Sequence, residues 1–209
     1  MNLWECDLMD VQAYVIYNDN YRYILSVIDV FSKYLYLIPI RTKSAPSVAS
    51  AFRSILDDTK RRCRPIWVRT NKGKELLNKH FQNMLRDEGI QLQVCRNPDF
   101  KCASVERVHG TIRDRLCNYC TYKNTYRYID VLPKFVKAYN DTVHSTSGMA
   151  PSRVTDSYVL PIWGRMEVRG SVRVAKATFR VGQNVRIRKE KMRFAKAAEH
   201  NCTISRSRK

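Results

Sequence analysis

The chain has 209 residues, 44% hydrophobic and 27% charged, with 38 Lys and Arg against 19 Asp and Glu, a formal net charge of +19. That composition excludes a disordered tail and allows one full core plus a small appendage. A basic surplus of this size attracts polyanions, nucleic acid foremost, while the lack of a basic amphipathic helix with a broad aromatic face argues against a membrane surface.

The longest apolar stretch, Tyr34 to Ile40, is seven residues and contains Pro39, so neither a signal peptide nor a membrane span is expected. The seven cysteines (Cys6, Cys63, Cys95, Cys102, Cys117, Cys120, Cys202) are odd in number and scattered, which suits reduced thiols in an intracellular compartment. Only Cys117 and Cys120 form a CxxC. With His109 on the same helix they make an awkward zinc set, so buried or half-buried helical thiols are expected there.

In chain order, Leu3 to Met9 reads as a central strand with Asp7 at its middle. Tyr21 to Phe31 and Tyr34 to Ile40, rich in aromatic and β-branched residues, read as a hairpin about Ser32-Lys33. Ser44 offers a helix cap with Pro46 early in the first turn, and Val48, Ala51, Phe52 and Ile55 keep the helical period. Pro65 to Thr70 reads as a fourth strand. A helix is predicted from about Lys74 to Glu88, with Leu77, Phe81, Met84 and Leu85 inward and Gly89 as its stop. Ile90 to Cys95 reads as the fifth strand.

The next stretch, KCASVERVHGTIRDRL at 101–116, reads as a helix. Val105, Val108, Ile112, Leu116 and Tyr119 form one apolar stripe, and Glu106, His109, Gly110, Arg113 and Cys117 lie on another face. Such a face can present a lone carboxylate to a phosphate; the plain alternative is that Glu106 pairs with Arg107 or Arg113 in solvent. A last helix from about Tyr126 to His144 should bury Ile129, Leu132, Phe135, Val136, Tyr139 and Val143, with Pro133 marking a kink or a late start.

The order of strands and helices predicts a mixed five-stranded α/β sheet with helices on both faces. From Gly164 onward, fourteen bases stand against three acids (Glu167, Glu190, Glu199). Thr178 to Ile187 alternates like a strand pair about Gly182-Gln183. A small basic β module and a solvated basic tail are both open readings of this end.

Asp7 on the first strand, Asn71 after the fourth and Glu106 early on a helix are the positions that could meet at one centre. In-line displacement at phosphodiesters uses divalent ions held by a few carboxylates. Asp10 points to the other face of its strand from Asp7, and Asp10, Asp29 and Glu75 read as structural or supporting acids.

Six segments resemble the integrase catalytic core of retroviruses, retrotransposons and self-synthesising DNA transposons. They are WECDLMD at 4–10, VIDVFSKYLYLIPI at 27–40, VRTNKGKE at 68–75, VERVHGTIRDRL at 105–116, YNDTVHSTSGMAPSRV at 139–154 and FRVGQNVRI at 179–187. The resemblance implies a ribonuclease-H-like fold and an Asp, Asp, Glu triad binding two Mg²⁺ or Mn²⁺. It also implies trimming and joining of DNA ends in the nucleus of a host cell, by a homo-oligomer.

Carried over, Asp7 is the first acid and Glu106 the third, with thirty-four residues between positions 71 and 106. The second acid is replaced: the family's T-D-x-G reads Thr70-Asn71-Lys72-Gly73 here. A neutral amide is a weak ligand for a hard cation, so a weakened metal site and impaired chemistry are expected. Candidate DNA contacts are Lys72, Lys74, Lys101, Arg107, His109, Arg113, Arg186, Arg188 and Lys189.

The expected organisation is a catalytic core over 1–155, a linker over 156–177, and an incomplete SH3-like or chromo-like barrel or basic tail over 178–209. Asn201 to Lys209 lacks the apolar alternation that later barrel strands need, and the residues ahead of Asp7 are too few for the family's His/His/Cys/Cys zinc module. Together these departures suggest a decayed or truncated transposon-derived integrase. A catalytically silent DNA-binding protein that keeps the fold is the alternative.

Overall fold

The computed structural model describes residues 2–58, 64–71, 73, 75–95, 102–170, 185–188 and 202–205. It divides into two compact units, Met1–Glu167 and Val168–Lys209. In the first unit, five strands form one sheet in the order β3-β2-β1-β4-β5. They are β1 (Leu3–Asp10), β2 (Tyr23–Asp29), β3 (Leu35–Ile40), β4 (Trp67–Thr70) and β5 (Gln91–Val94). β1 runs antiparallel to β2 and parallel to β4, so the predicted mixed sheet forms.

Alternation along β1 divides its side chains between two cores. Trp4 and Cys6 face α1 (Ala45–Asp58) and α2 (Lys79–Asp87), where Val48, Phe52, Ile55 and Phe81 are buried. Phe52 meets Phe81 edge-on at 5.3 Å. Met9 faces the other way, into a cluster with Ile24 and Ile28 of β2 and with Val105, Val108, Ile112 and Leu116 of α3 (Ala103–Lys123). The apolar stripe read from the sequence is therefore the face by which α3 lies on the sheet.

Two helices start later than their patterns suggest. Asn78 caps α2, its side-chain oxygen accepting the Phe81 N–H at 2.8 Å, and so Leu76 in the preceding turn is buried while Leu77 is only half-buried. α4 (Leu132–Asp141) has Pro133 in its first turn, where a missing N–H costs nothing, so the proline starts the helix and does not kink it. Val143, expected inside, lies past the end of α4 and is exposed.

Buried amides replace ladder bonds at two joints. Asn140 of α4 pairs with the backbone of Leu35 on edge strand β3, accepting from its N–H at 2.9 Å and donating to its C=O at 3.0 Å. Asn18, wholly buried, donates to the carbonyls of Tyr14 and Tyr126 and accepts from the N–H groups of Tyr128 and Ile129. Each satisfies backbone groups that would otherwise be buried unpaired.

Residues 159–170, within the stretch expected as linker, form a helix, α5 (Val159–Gly170). In the second unit β6 (Val185–Arg188) pairs antiparallel with β7 (Cys202–Ser205). Asn201 to Lys209 lacks apolar alternation, yet Cys202–Ser205 is a strand, in register with Ile187 opposite Thr203 and Arg186 opposite Ile204 along the backbone. The expected turn at Gly182-Gln183 lies outside the described residues.

Candidate active site

The sheet register brings the first two candidate positions together. Cys6 pairs with Thr70 across the parallel β1–β4 ladder, so the residues that follow, Asp7 within β1 and Asn71 just past the end of β4, lie side by side in the middle of the sheet. The Asn71 side chain favours the charged form of the Asp7 carboxylate beside it. An ionised aspartate at 71 would do the opposite, since a like charge disfavours that form.

The third position is set by a residue the sequence reading passed over. Glu5 shares the Asp7 face of β1, two residues earlier, and is 3% exposed. One of its oxygens accepts the backbone N–H of Ser104 at 2.9 Å and of Val105 at 3.2 Å, and the other lies 3.6 Å from the Arg69 guanidinium. Cys102, at the helix's own cap position, makes no side-chain cap bond. Glu5 therefore caps α3 from a strand about a hundred residues away and is held there by the helix's positive end. Glu106 sits in that first turn, exposed, its N–H bonded to the Cys102 carbonyl at 3.0 Å.

Electrostatics show how the acids meet. Burial raises the Asp7 carboxyl above its ordinary 3.8, and the carboxylates of Glu75 and Glu106 push the same way, partly offset by the Leu8 backbone N–H and the Asn71 amide. Glu75, read from the sequence as supporting, acts on Asp7 more strongly than Glu106 does. Its side chain folds back over Gly73, where a Cβ would lie only 2.9 Å from Glu75 Oε1. Glycine at 73 makes room for that carboxylate.

His109 turns out to be a core residue. It is 8% exposed, its Nδ1 lies 4.0 Å from Asp7 Oδ2, and its Nε2 has no hydrogen-bond partner. Burial first, and then the Arg113 charge, lower its pKa from 6.5 to about 4, so the ring is neutral at ordinary pH. It packs behind the acid, and the DNA contact expected of it is not what its position offers.

A part-buried carboxylate such as Asp7, raised by burial and by two neighbouring acids, is donor chemistry for a cation. Asp7, Glu75 and Glu106 are oxygen donors of the kind a divalent ion takes, and Asn71 is a neutral neighbour of Asp7. Among the described residues no three of His, Cys, Asp and Glu lie close enough to hold a metal ion as they stand.

Of the remaining candidates, Arg113 is exposed two turns past Glu106, on its side of α3. Arg107 is exposed on a different flank and lines a cavity with Lys33 and Arg115. Arg186 and Arg188 lie on β6. Lys72, Lys74, Lys101 and Lys189 lie outside the described residues. Asp10 binds Gln12 through both oxygens and Asp29 closes the β2–β3 turn on Phe31 and Ser32, as supporting acids. Cys6, Cys95, Cys102, Cys117 and Cys120 are free thiols; Cys117, expected to be at least half-buried, is exposed.

A five-stranded mixed sheet carrying acids on β1, beyond β4 and on the helix after β5 defines a ribonuclease-H-like core. Comparison with known proteins narrows the likeness: residues 1–99 match the model of the integrase core domain family. A transposon-derived protein of Caenorhabditis elegans is 30% identical over 186 residues, covering 89% of this chain; the chain spans 62% of that relative's length. The catalytic core of HTLV-2 integrase, solved with magnesium in a trimeric form, superposes with a TM-score of 0.58 at 19% identity, covering 73% of this chain and 95% of that one. The BIV integrase core gives 0.56 at 18% identity, covering 78% and 97%. At these identities the solved structures share the fold.

Proposed function

We propose that the protein is a transposon-derived integrase core that binds DNA in the nucleus of its host cell as a homo-oligomer, with its end-processing and strand-transfer chemistry impaired. The observation that carries this reading is the neutral Asn71, set beside Asp7 by the β1–β4 register, where the family places a second metal-binding aspartate. Asp7 and Glu106 would hold Mg²⁺ or Mn²⁺, which when bound activates the attacking oxygen and stabilises the leaving one. Asn71 offers that ion at best a neutral oxygen. Losing one charged ligand corresponds to a rate roughly 10²–10⁴-fold lower. DNA attraction does not depend on the lost acid, because it comes from the net charge of +19.

A strand-transfer assay tests this on the chain as it stands, on Asn71→Asp, and on Glu106→Gln as the negative control. Gain of activity in Asn71→Asp alone supports the reading; family-level rates in the unaltered chain contradict it. Two silent proteins and a silent Asn71→Asp favour the purely DNA-binding alternative. DNA affinity should fall steeply with salt through counterion release, and a flat response contradicts DNA binding in either form.

A further inference from the structure

We propose that a cavity on the flank of α3, separate from the Asp7 centre, is a phosphoryl-binding pocket. It has a volume of about 310 Å³ and lies between the β2–β3 turn, α3 and the end of α4. Lys33, Arg107 and Arg115 line it, with hydroxyls from Thr111 and Ser145, and no carboxylate is among the lining residues.

The helical period explains why this is a different site from the acids. Arg107, Thr111 and Arg115 recur every four residues and form one stripe on α3. At about 100° per residue, that stripe stands well over a quarter turn from Glu106 and Arg113. The cations are held in place. The Arg115 guanidinium lies 5.9 Å from the Tyr139 ring centroid, in cation–π contact. Lys33 sits at φ 65 in the turn, its backbone N–H donating to the Asp29 carbonyl at 2.8 Å.

Burial lowers the Lys33 pKa; Glu5 and Asp29 oppose that shift, and Arg107 adds to it. Both acids are already engaged, Glu5 by the start of α3 and Asp29 by Phe31 and Ser32. Three cations converging on a partly desolvated space, among hydroxyl donors, are built for a dianion with several acceptor oxygens, which is the chemistry of a phosphoryl group. Its source is either the backbone of bound DNA or a free phosphate compound. The inference stands apart from the catalytic reading above.

The test uses the full chain with two probes, inorganic pyrophosphate and a 30-base-pair duplex, and three variants. These are Arg107→Gln/Arg115→Gln, Thr111→Glu (which puts a carboxylate in the cavity and keeps both arginines), and Lys79→Gln on exposed α2 as control. Calorimetric titration at matched ionic strength should show pyrophosphate binding weakened about tenfold or more in the first two variants and unchanged in the third. If the source is DNA, duplex affinity also falls in those two, with a shallower salt dependence by about one unit per lost contact, and pyrophosphate competes. If it is a free phosphate compound, duplex affinity stays at the level of the Lys79→Gln control. Pyrophosphate binding that is absent, or equal in all proteins, overturns the proposal whatever the duplex does.

Discussion

The buried carboxylate of Glu5 accepts the backbone N–H of Ser104 at 2.9 Å, so a single strand carries both the first acid, Asp7, and the cap of the helix that presents Glu106. The site's two ends are thereby tied through one residue that takes no part in chemistry. Replacing Glu5 with alanine leaves α3 uncapped and Arg69 facing a void. The expected loss is about 2–4 kcal/mol in urea unfolding, with faster hydrogen exchange at the Ser104 and Val105 amides. Glu5→Gln keeps an acceptor and should lose much less. Equal, small losses in both contradict the capping role.

Gly110 is exposed in the middle of α3, and a Cβ there would meet nothing within 4 Å. Gly110→Ala should therefore stabilise the fold by about 1 kcal/mol, since helical glycine loses more backbone entropy and nothing stands in the methyl's way. A higher urea midpoint with an unchanged slope is the expected result.

His109 makes stability depend on pH in a definite direction. Its pKa is about 4 in the folded chain and near 6.5 when unfolded, so between those values the unfolded state binds more protons. Stability should fall as the pH drops from 6.5 towards 4, by up to about 1.4 kcal/mol per unit from this group, and this contribution should level off below 4. Unfolding curves for the unaltered chain and His109→Gln, taken with a chelator, should differ in slope across that window. Parallel curves contradict the assignment.

Much of this was legible in the sequence because the sheet's strands and α3 follow period rules. β2 is apolar but for Ser26 and the terminal Asp29 and is buried along its length bar the last residue, and Val105, Val108, Ile112 and Leu116 are all inside. Asp7, Asn71 and Glu106 could be singled out from residue type and order. What escaped depends on contacts between distant segments. Glu5 gave a local signal only as an acid two residues from Asp7 on an otherwise apolar strand. Glu75 acts on Asp7 from a side chain folded back over Gly73, a placement that no periodicity encodes. His109 read as polar and therefore outward, yet its ring lies over the sheet behind Asp7. Asn18 and Asn140 carry no pattern in the sequence, and only the fold shows the backbone groups they satisfy. β7 was missed because its pairing with β6, not an apolar pattern of its own, makes it a strand.

On the proposed function, a neutral side chain at position 71 weakens divalent-cation binding at Asp7. Calorimetric titration of Mn²⁺ into the metal-free chain and into Asn71→Asp tests it without any need for catalysis. Restoring the acid should tighten Mn²⁺ binding about tenfold or more, and Glu106→Gln made in the Asn71→Asp chain should remove most of that gain. Equal Mn²⁺ affinity in the unaltered chain and Asn71→Asp would contradict the account.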